Sequence, residues 1–431
     1  MIAHAVLAAL VVAQVVPPPA VSTVSGATVV RQRDAASPLA GVELFVRAGL
    51  DRQTLSQNGL AALTAESILQ TPVTAAPGDA PRPLQDAVAA MGGSISFGVS
   101  PSDVHFYIEG LAEDQDALVG LLSQALAAPA LDGATIASAR TVLDANIAND
   151  DRLPFQVGMD MLDRQFFGNA NQGLPQYGTA TALAQFVAAD VRGFYTRYYR
   201  RDGAVISAVG PPTAFASSAI ERLAGTLGPG RSTAVAAKVA ALQGTSRELI
   251  ARRDIGAPWM LAQFSAPAVG SKDFAAMLVL AALVDRGLQE TAQVPTAVSR
   301  GIADGVVGTI YNYDQKPASL VIYVDGGLGD ASTTFSNTLA FVKVINTVKL
   351  SGSFDEFKAL ARGNYIAGSD RIADRAWLAG VFAGNGASPN YLNQTLAEIA
   401  AVTPADVARV ARKYLGKPAI ALVVPRASAT Q

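Results

Sequence analysis

The segment GLAALTAESIL, Gly59 to Leu69, carries the clearest structural signal in this chain of 431 residues. It follows the apolar stretch Val42 to Ala48, which is typical of a strand, and the loop Gly49 to Asn58. The alanine and leucine content of the segment predicts a helix. The sequence therefore predicts a strand, a loop and a helix in this order, with Glu66 as an exposed glutamate on the helix.

The composition is that of a globular chain with large apolar cores. Half of the residues are apolar and 16% are charged, which excludes intrinsic disorder, and the length predicts two or three domains. The formal net charge of −2 gives no attraction to phosphates, so we expect no nucleic-acid partner. The chain has no cysteine, which excludes disulfides, thiolate nucleophiles and cysteine-ligated metal sites.

The N-terminus has the features of a leader. The apolar run AVLAALVVAQVV, Ala5 to Val16, has the length of a secretory signal and is too short to span a bilayer. We therefore predict a signal peptide at residues 1–24, a periplasmic or exported location, and no transmembrane anchor. The alternative is a disordered start, because Met1 to His4 contain no Lys or Arg.

Similar segments recur along the chain at a nearly constant spacing. FYIEG at Phe106–Gly110 is followed 216 positions later by IYVDG at Ile322–Gly326. Helical segments that open with Ala-Asp-Val, at Ala189 and at Ala405, are also 216 positions apart. Matches in the same order at one spacing indicate a duplicated domain.

We therefore predict an α+β fold of two homologous α/β-layer domains that face each other as a clamshell. The N-terminal domain covers residues 25–224 and the C-terminal domain residues 246–431. The predicted linker at 225–245 contains Gly228-Pro229-Gly230, which breaks regular structure.

The order of strand, loop and Gly-Leu-Ala helix resembles the insulinase/pitrilysin family of zinc metallopeptidases, in which this helix bears the H-x-x-E-H motif. Other segments stand in the order that the family uses. These are Met91–Gly93, Phe167–Gly168, Tyr177–Thr179, Val191–Tyr195 and Val402–Val407. The resemblance covers about residues 28 to 425 and implies the duplicated fold of that family.

The resemblance also implies a zinc ion held by two histidines and a glutamate, with a further glutamate as general base. The two histidine positions fall on Ala62 and Glu66, and the base falls on Ala65. The third ligand falls on Asn146. We therefore expect no catalytic residue, no metal ligand and no cofactor in this chain.

A shifted alignment cannot restore the site, because the chain contains only His4 and His105. His4 lies in the predicted leader. The alternation of apolar residues places His105 on the strand face opposite to Phe106 and Ile108, as a structural histidine at or near the surface. The sequence also has no G-x-S-x-G elbow that would supply a serine nucleophile.

The resemblance implies a second feature that needs no metal, the addition of substrate peptide as a strand to a sheet edge. The matching strand is Ser94 to Ser100, with Ser96 and Phe97 in place of the Asn and the small residue of the family. We name Ser96, Phe97, Gly98 and Val99 as candidate peptide-binding residues. The alternative is an ordinary edge strand shielded by a neighbour.

In two-chain members of the family, the second domain of the inactive subunit supplies an Arg and a Tyr that contact substrate. An ungapped alignment places them on Ala297 and Asp304, whereas a shifted alignment makes Arg300 and Tyr311 the candidates. The alternative is a solvated charge at Arg300 and a half-buried strand aromatic at Tyr311.

The resulting hypothesis is a non-catalytic subunit that pairs with a zinc-bearing subunit of the same family. The pair would form a hetero-oligomer that encloses unfolded peptides for proteolysis by the partner. Two alternatives stay open: a stand-alone peptide-binding or scaffold protein, and a peptidase with an unrecognised site.

Overall fold

The computed structural model describes residues 17–168, 170–215, 217–233, 248–293, 306–315, 317–325, 340, 354–388 and 390–426. The strands of the first half are β1 (Ala20–Val24), β2 (Ala27–Arg33), β3 (Leu39–Val46), β4 (Pro72–Val73), β5 (Arg82–Pro83), β6 (Ser94–Val99), β7 (Val104–Leu111), β8 (Arg200–Asp202), β9 (Val205–Gly210) and β10 (Gly228–Arg231). Its helices are α1 (Leu60–Leu69), α2 (Leu84–Ala90), α3 (Gln115–Ala127), α4 (Gly133–Asp150), α5 (Pro154–Phe167), α6 (Ala180–Leu183), α7 (Ala188–Tyr198) and α8 (Ser217–Thr226).

The second half is built from fewer described elements. Its strands are β11 (Glu248–Arg253), β12 (Trp259–Ala266), β13 (Val306–Asn312), β14 (Ala318–Asp325) and β15 (Ala419–Pro425). Its helices are α9 (Phe274–Gln293), α10 (Phe354–Ala367), α11 (Ile372–Gly384), α12 (Tyr391–Ala401) and α13 (Pro404–Tyr414). None of the helices in these described ranges is long and apolar enough to cross a membrane.

The two halves contain the same sheet. The first sheet has the order β1-β2-β9-β3-β7-β6 and the second the order β11-β15-β12-β14-β13. In each sheet one pair of strands is parallel, β2 with β9 and β11 with β15, and the remaining pairs are antiparallel. The predicted mixed fold of two homologous domains is confirmed by this shared order and direction.

The first sheet has two covered faces, and the alternation of β7 separates them. Phe106 and Ile108 are fully buried on the face that packs against α1 and α3. His105 and Tyr107 point to the other face, which we call the α11 face because α11 covers it. That covering helix belongs to the second half of the chain.

The halves are joined by a reciprocal exchange of helices. Helix α11 packs on β3 and β9 of the first sheet, and α5 of the first half packs on β12 and β15 of the second sheet. On each helix, a glycine without a side chain allows close contact with the sheet. A Cβ atom added to Gly380 of α11 would lie 1.9 Å from Phe45, and one added to Gly158 of α5 would lie 2.5 Å from Leu261. The halves of the predicted clamshell are thus closed onto each other by α5 and α11.

Two details differ from the sequence prediction. Gly228–Arg231, inside the predicted linker, forms β10 and pairs in parallel with β8, so this Gly-Pro-Gly segment extends regular structure rather than breaking it. Within the predicted leader, Ala20–Val24 forms β1 and pairs with β2 at the edge of the first sheet. Residues 1–16 of that leader and residues 234–245 of that linker lie outside the described residues.

Candidate functional site

Helices α1 and α4 pack against each other and carry the positions that the resemblance assigns to the metal site. Helix α1 begins after Gly59, which has a left-handed backbone with φ of 98°. A Cβ atom at this glycine would lie 2.8 Å from the side chain of Leu183 and 2.9 Å from the carbonyl oxygen of Tyr177. The loop that contains Tyr177, just before α6, therefore packs closely against the start of α1 and fixes its position.

The prediction that Glu66 is exposed is wrong. All ten residues of α1 are buried, and Glu66 is 5% exposed. Helix α1 is buried because α4 and other helices of the first half cover it, which the local sequence does not show. Burial raises the pKa of Glu66, whereas the amide of Gln70, which donates a 2.7 Å hydrogen bond to Glu66 Oε1, opposes the rise.

The residues at the family's ligand positions do not fit a zinc ion. Ala62 and Ala65 are fully buried methyl groups, and Asn146 on α4 is a half-buried amide. A structural or catalytic zinc needs several imidazole, thiolate or carboxylate donors around one point. Across the described ranges, no group of three or more His, Cys, Asp or Glu side chains is arranged to hold a metal ion.

An aromatic pair lies beside α1 and β6. The rings of Phe97 on β6 and Tyr177 meet edge to face, with centroids 6.5 Å apart. Burial raises the pKa of Tyr177, and the charges of Asp150 and Glu66 add to the rise. The neighbourhood of α1 therefore contains an aromatic pair close to the carboxyl groups of Glu66 and Asp150.

The candidate peptide edge is the outer edge of β6. Within the described residues β6 is the last strand of the first sheet and pairs only with β7. Ser96 is exposed, Phe97 and Gly98 are half-buried, and Val99 is buried in the core. The structure therefore brings Ser96, Phe97 and Gly98 to an open edge and assigns Val99 to packing.

Of the second pair of candidates, Arg300 and Tyr311, only Tyr311 lies within the described residues. Tyr311 lies on β13 with its hydroxyl donating to the carbonyl of Pro267, and its ring packs against Phe274 and Tyr313. Burial raises the pKa of Tyr311 far above its ordinary value. Its hydroxyl is thus engaged within the fold. Arg300 lies outside the described residues.

Sequence reasoning missed a charged cluster on the α11 face. We call it the His105 cluster, and it consists of Glu43, Arg47, Asp103, His105 and Asp314. His105 lies with Nε2 4.0 Å from Glu43 Oε1 and with Nδ1 3.6 Å from Asp103 Oδ1. The alternation of β3 and β7 places Glu43 and His105 on one face, but only the fold brings Asp314 of the second half beside them.

A groove of about 760 Å³ lies between the two halves beside β11. Its walls come from α5, from loops of the first half and from residues 250–253 of β11. Leu55 and Ile250 line this β11 groove and are each 58% exposed. Within the described residues β11 pairs only with β15, so one edge of the strand faces the groove.

Three solved structures are similar to this chain over nearly its whole length. A peptidase M16 inactive domain from Pseudomonas fluorescens has a TM-score of 0.78 at 16% identity, covering 95% of this chain and 98% of its own. A putative M16-like peptidase from Alicyclobacillus acidocaldarius has 0.75 at 15% identity, covering 96% and 100%. A chain of complex III2 from Candida albicans has 0.75 at 13% identity, covering 94% and 95%.

No family model matches the sequence, and no curated protein matches it. The similarity therefore rests on the fold. This fold is that of M16 peptidases, the insulinase/pitrilysin type, and of an inactive domain among them. The predicted resemblance to the insulinase/pitrilysin fold is confirmed at this level.

Proposed function

We propose that this chain is the non-catalytic subunit of an insulinase/pitrilysin-type zinc metallopeptidase. It pairs with a zinc-bearing subunit, and the pair encloses unfolded peptides that the partner cleaves. The observation that carries the proposal is the pair of buried methyl groups, Ala62 and Ala65, at positions where the fold would need a ligand and a base.

The preserved architecture supports a role in forming a chamber. Both sheets and the exchanged helices are present, whereas the donor set is lost, so the chain keeps the shape and not the chemistry. The similar structure from Pseudomonas fluorescens is itself described as an inactive domain. A subunit of this kind contributes walls and binding surface while the partner supplies the metal.

The β6 edge supports a role in peptide binding. An extended peptide beside β6 would pair its backbone with the free N–H and C=O groups of that edge, each hydrogen bond contributing about 0.5–1.5 kcal/mol. Phe97 points to the α1 side of the sheet, next to Tyr177, and offers an aromatic surface to one peptide side chain. Strand addition does not need zinc, so the loss of the ligands leaves it intact.

Purification of the tagged chain from its native source, followed by mass spectrometry, tests the pairing. The proposal expects a stoichiometric companion with an intact H-x-x-E-H motif. Reconstitution should then cleave an unfolded peptide faster than the companion alone. A companion with the same activity in the absence of this chain would contradict the proposal.

Backbone-modified peptides test the binding mode without altering the protein. An unstructured fluorescent peptide should lose affinity when alternate amides are N-methylated, because N-methylation removes the donors that strand pairing needs. A peptide methylated at one terminal amide serves as the control. Equal anisotropy titrations for all three peptides would exclude strand addition.

A second candidate function, peptide binding without a peptidase partner, is favoured by the β11 groove. It offers a further strand edge and apolar groups, Leu55 and Ile250, in an open space of about 760 Å³. Recovery of the chain alone, as a monomer or homodimer that still binds unfolded peptides, would favour this function.

The proposal includes export to the periplasm, and its support is the apolar leader in the sequence. Cell fractionation and N-terminal sequencing of the mature chain test it. Cleavage before Ala20 would keep β1 on the first sheet, whereas cleavage after Val24 would remove that strand. A mature chain that begins at Met1 in the cytoplasm would contradict export.

A further inference from the structure

The His105 cluster lies at the junction of the two halves. Glu43, Arg47, Asp103 and His105 come from the first half, and Asp314 comes from the loop between β13 and β14. Arg47 donates a 2.6 Å hydrogen bond from Nη2 to the carbonyl oxygen of Gly384, the last residue of α11. The cluster therefore contacts both the first sheet and the exchanged helix that covers it.

Four residues of the cluster line a small, partly open cavity of about 20 Å³, which is enough for one water molecule. Arg47, Asp103, His105 and Asp314 line it together with residues of α11. Within the described residues His105 Nδ1 has no hydrogen-bond partner. The charged groups thus meet in a confined space, where water screens their charges less than it does at an open surface.

The other polar and charged groups on the α11 face are engaged elsewhere. On α11, Arg375 pairs with Asp34 at 2.6 Å and Asp374 pairs with Arg371 at 2.8 Å. On β7, the hydroxyl of Tyr107 donates to Glu109. Asp51, whose pKa burial raises to about 6, lies near Asp103 and Arg47 and pairs with Arg52 at 2.6 Å. Asp163 and Tyr313 lie near Asp314. The remaining neighbours are uncharged: Gly98 of β6, Ser100, Ser102, Val205 and Ser207 of β9, and Trp377, Val381 and Asn385 on or after α11.

Protonation changes the net charge of this junction. Burial raises the pKa of Glu43 to about 7 and that of Asp314 to about 6. Burial disfavours the charged form of His105, but Asp103 and Glu43 outweigh it and raise its pKa. Burial also opposes the charge on Asp103, yet His105 and Arg47 hold its pKa below the ordinary value.

The pKa values of Glu43, Asp314 and His105 are all raised, so the three groups change the stability of the fold with pH in the same direction. A group whose pKa is higher in the folded state stabilises the fold below its unfolded pKa, and this stabilisation is lost as the pH rises through the folded pKa. Glu43 and Asp314 lose this stabilisation as the pH rises through about 7 and about 6, and His105 loses its own as the pH rises through its raised pKa. Above this range four carboxylates, those of Glu43, Asp51, Asp103 and Asp314, lie near two guanidinium groups, those of Arg47 and Arg52.

We propose that the His105 cluster is a proton-operated latch between the two halves. It holds α11 against the first sheet while Glu43, Asp314 and His105 carry their protons, and it loosens as they lose them. The device does not depend on the proposed pairing with a peptidase or on peptide binding.

Hydrogen exchange of the intact chain, measured by mass spectrometry at about pH 6 and about pH 8.5 and corrected for the intrinsic rate, tests the latch. We expect the protection of α11 to fall by roughly tenfold, the equivalent of one pKa unit, and that of α1, where Glu66 is the one carboxyl with a raised pKa, to fall by less. Equal corrected protection of α11 at both pH values would overturn the proposal.

Three variants separate the latch from general effects of buried carboxyls. Glu43→Gln and Asp314→Asn, from opposite halves, should each reduce the loss of α11 protection. Glu66→Gln is the matched control, because Glu66 is as buried as Glu43, 5% against 3% exposed, but lies on α1 inside the first half. If Glu66→Gln reduced the loss as much as the other two, the proposal would fail. Asp314→Asn alone decides the question if Glu43→Gln does not fold.

Discussion

Buried carboxyl groups have different surroundings on the two faces of the first sheet. On the α1 face, the one hydrogen-bond partner of Glu66 among the described residues is the neutral amide of Gln70, in a helix rich in alanine and leucine. On the α11 face, Glu43 lies near His105, which in turn pairs with Asp103 beside Arg47. The α1 face has therefore become ordinary core packing at the position where the family carries out its chemistry, whereas the α11 face keeps a cluster of groups that respond to protons.

The largest expected effect would break this contrast by placing a charge on the α1 face. Ala65 is fully buried, so Ala65→Glu would bury a carboxylate without a partner and should lower the free energy of unfolding by about 3 kcal/mol or more. Urea denaturation measures the loss. Ala148→Glu, at an exposed position of α4, is the control and should change stability little. Equal results for both would mean that α1 is open to water.

A smaller effect concerns the α11 face. A Cβ atom at Gly380 would lie 1.9 Å from Phe45, so Gly380→Ala should force α11 away from β3 and cost about 1–3 kcal/mol. Gly120→Ala on α3, where no atom lies within 4 Å of the new methyl group, should stabilise by up to about 1 kcal/mol. Thermal melts should show a lower melting temperature for Gly380→Ala and a higher one for Gly120→Ala. A stabilised Gly380→Ala would contradict the tight contact.

A third effect concerns the edge where the two faces meet. Phe97→Ala removes the ring beside Tyr177 on the α1 side and should weaken the binding of an unstructured peptide by about tenfold or less. Ser96→Ala, on the α11 side of the same strand, should leave the affinity nearly unchanged. Anisotropy titrations compare the two, and equal losses would argue against a side-specific contact.

The smallest expected effect is a change in how the stability of the fold depends on pH, and it concerns Glu66 on the α1 face. Burial raises the pKa of Glu66, so its contribution to stability is present at acidic pH and is lost as the pH rises through the folded pKa. Glu66→Gln should therefore make the unfolding midpoint less dependent on pH, with a gain of about 1 kcal/mol or less in alkaline buffer. A variant that became less stable at alkaline pH would show that the carboxylate is needed in its charged form.

Local patterns predicted the elements well, because strand alternation and helix openings are properties of neighbouring residues. The Gly-Leu-Ala start predicted α1, which begins at Leu60, and the alternation around His105 predicted which residues of β7 are buried. The repeat of 216 positions predicted two similar halves, and the strand orders confirm it.

Long-range contacts could not be predicted in the same way. The prediction for Glu66 was wrong because its exposure depends on how α4 and the neighbouring helices cover α1. The partner of the Tyr311 hydroxyl, Pro267, lies 44 positions away, and Asp314 joins His105 across the two halves. Contacts between residues so far apart in the sequence leave no periodic pattern from which they could be predicted. Binding at Ser96, Phe97 and Gly98 stays a prediction.

The exchange of α5 and α11 also shapes how the chain reaches its fold. During synthesis the first sheet can form from residues 20–210, but its α11 face stays uncovered until residues 372–384 emerge. Contacts between residues so far apart form slowly, since a long loop must close before they contribute. The N-terminal half is therefore an incomplete folding unit, and the chain completes its structure only when nearly all of it is available.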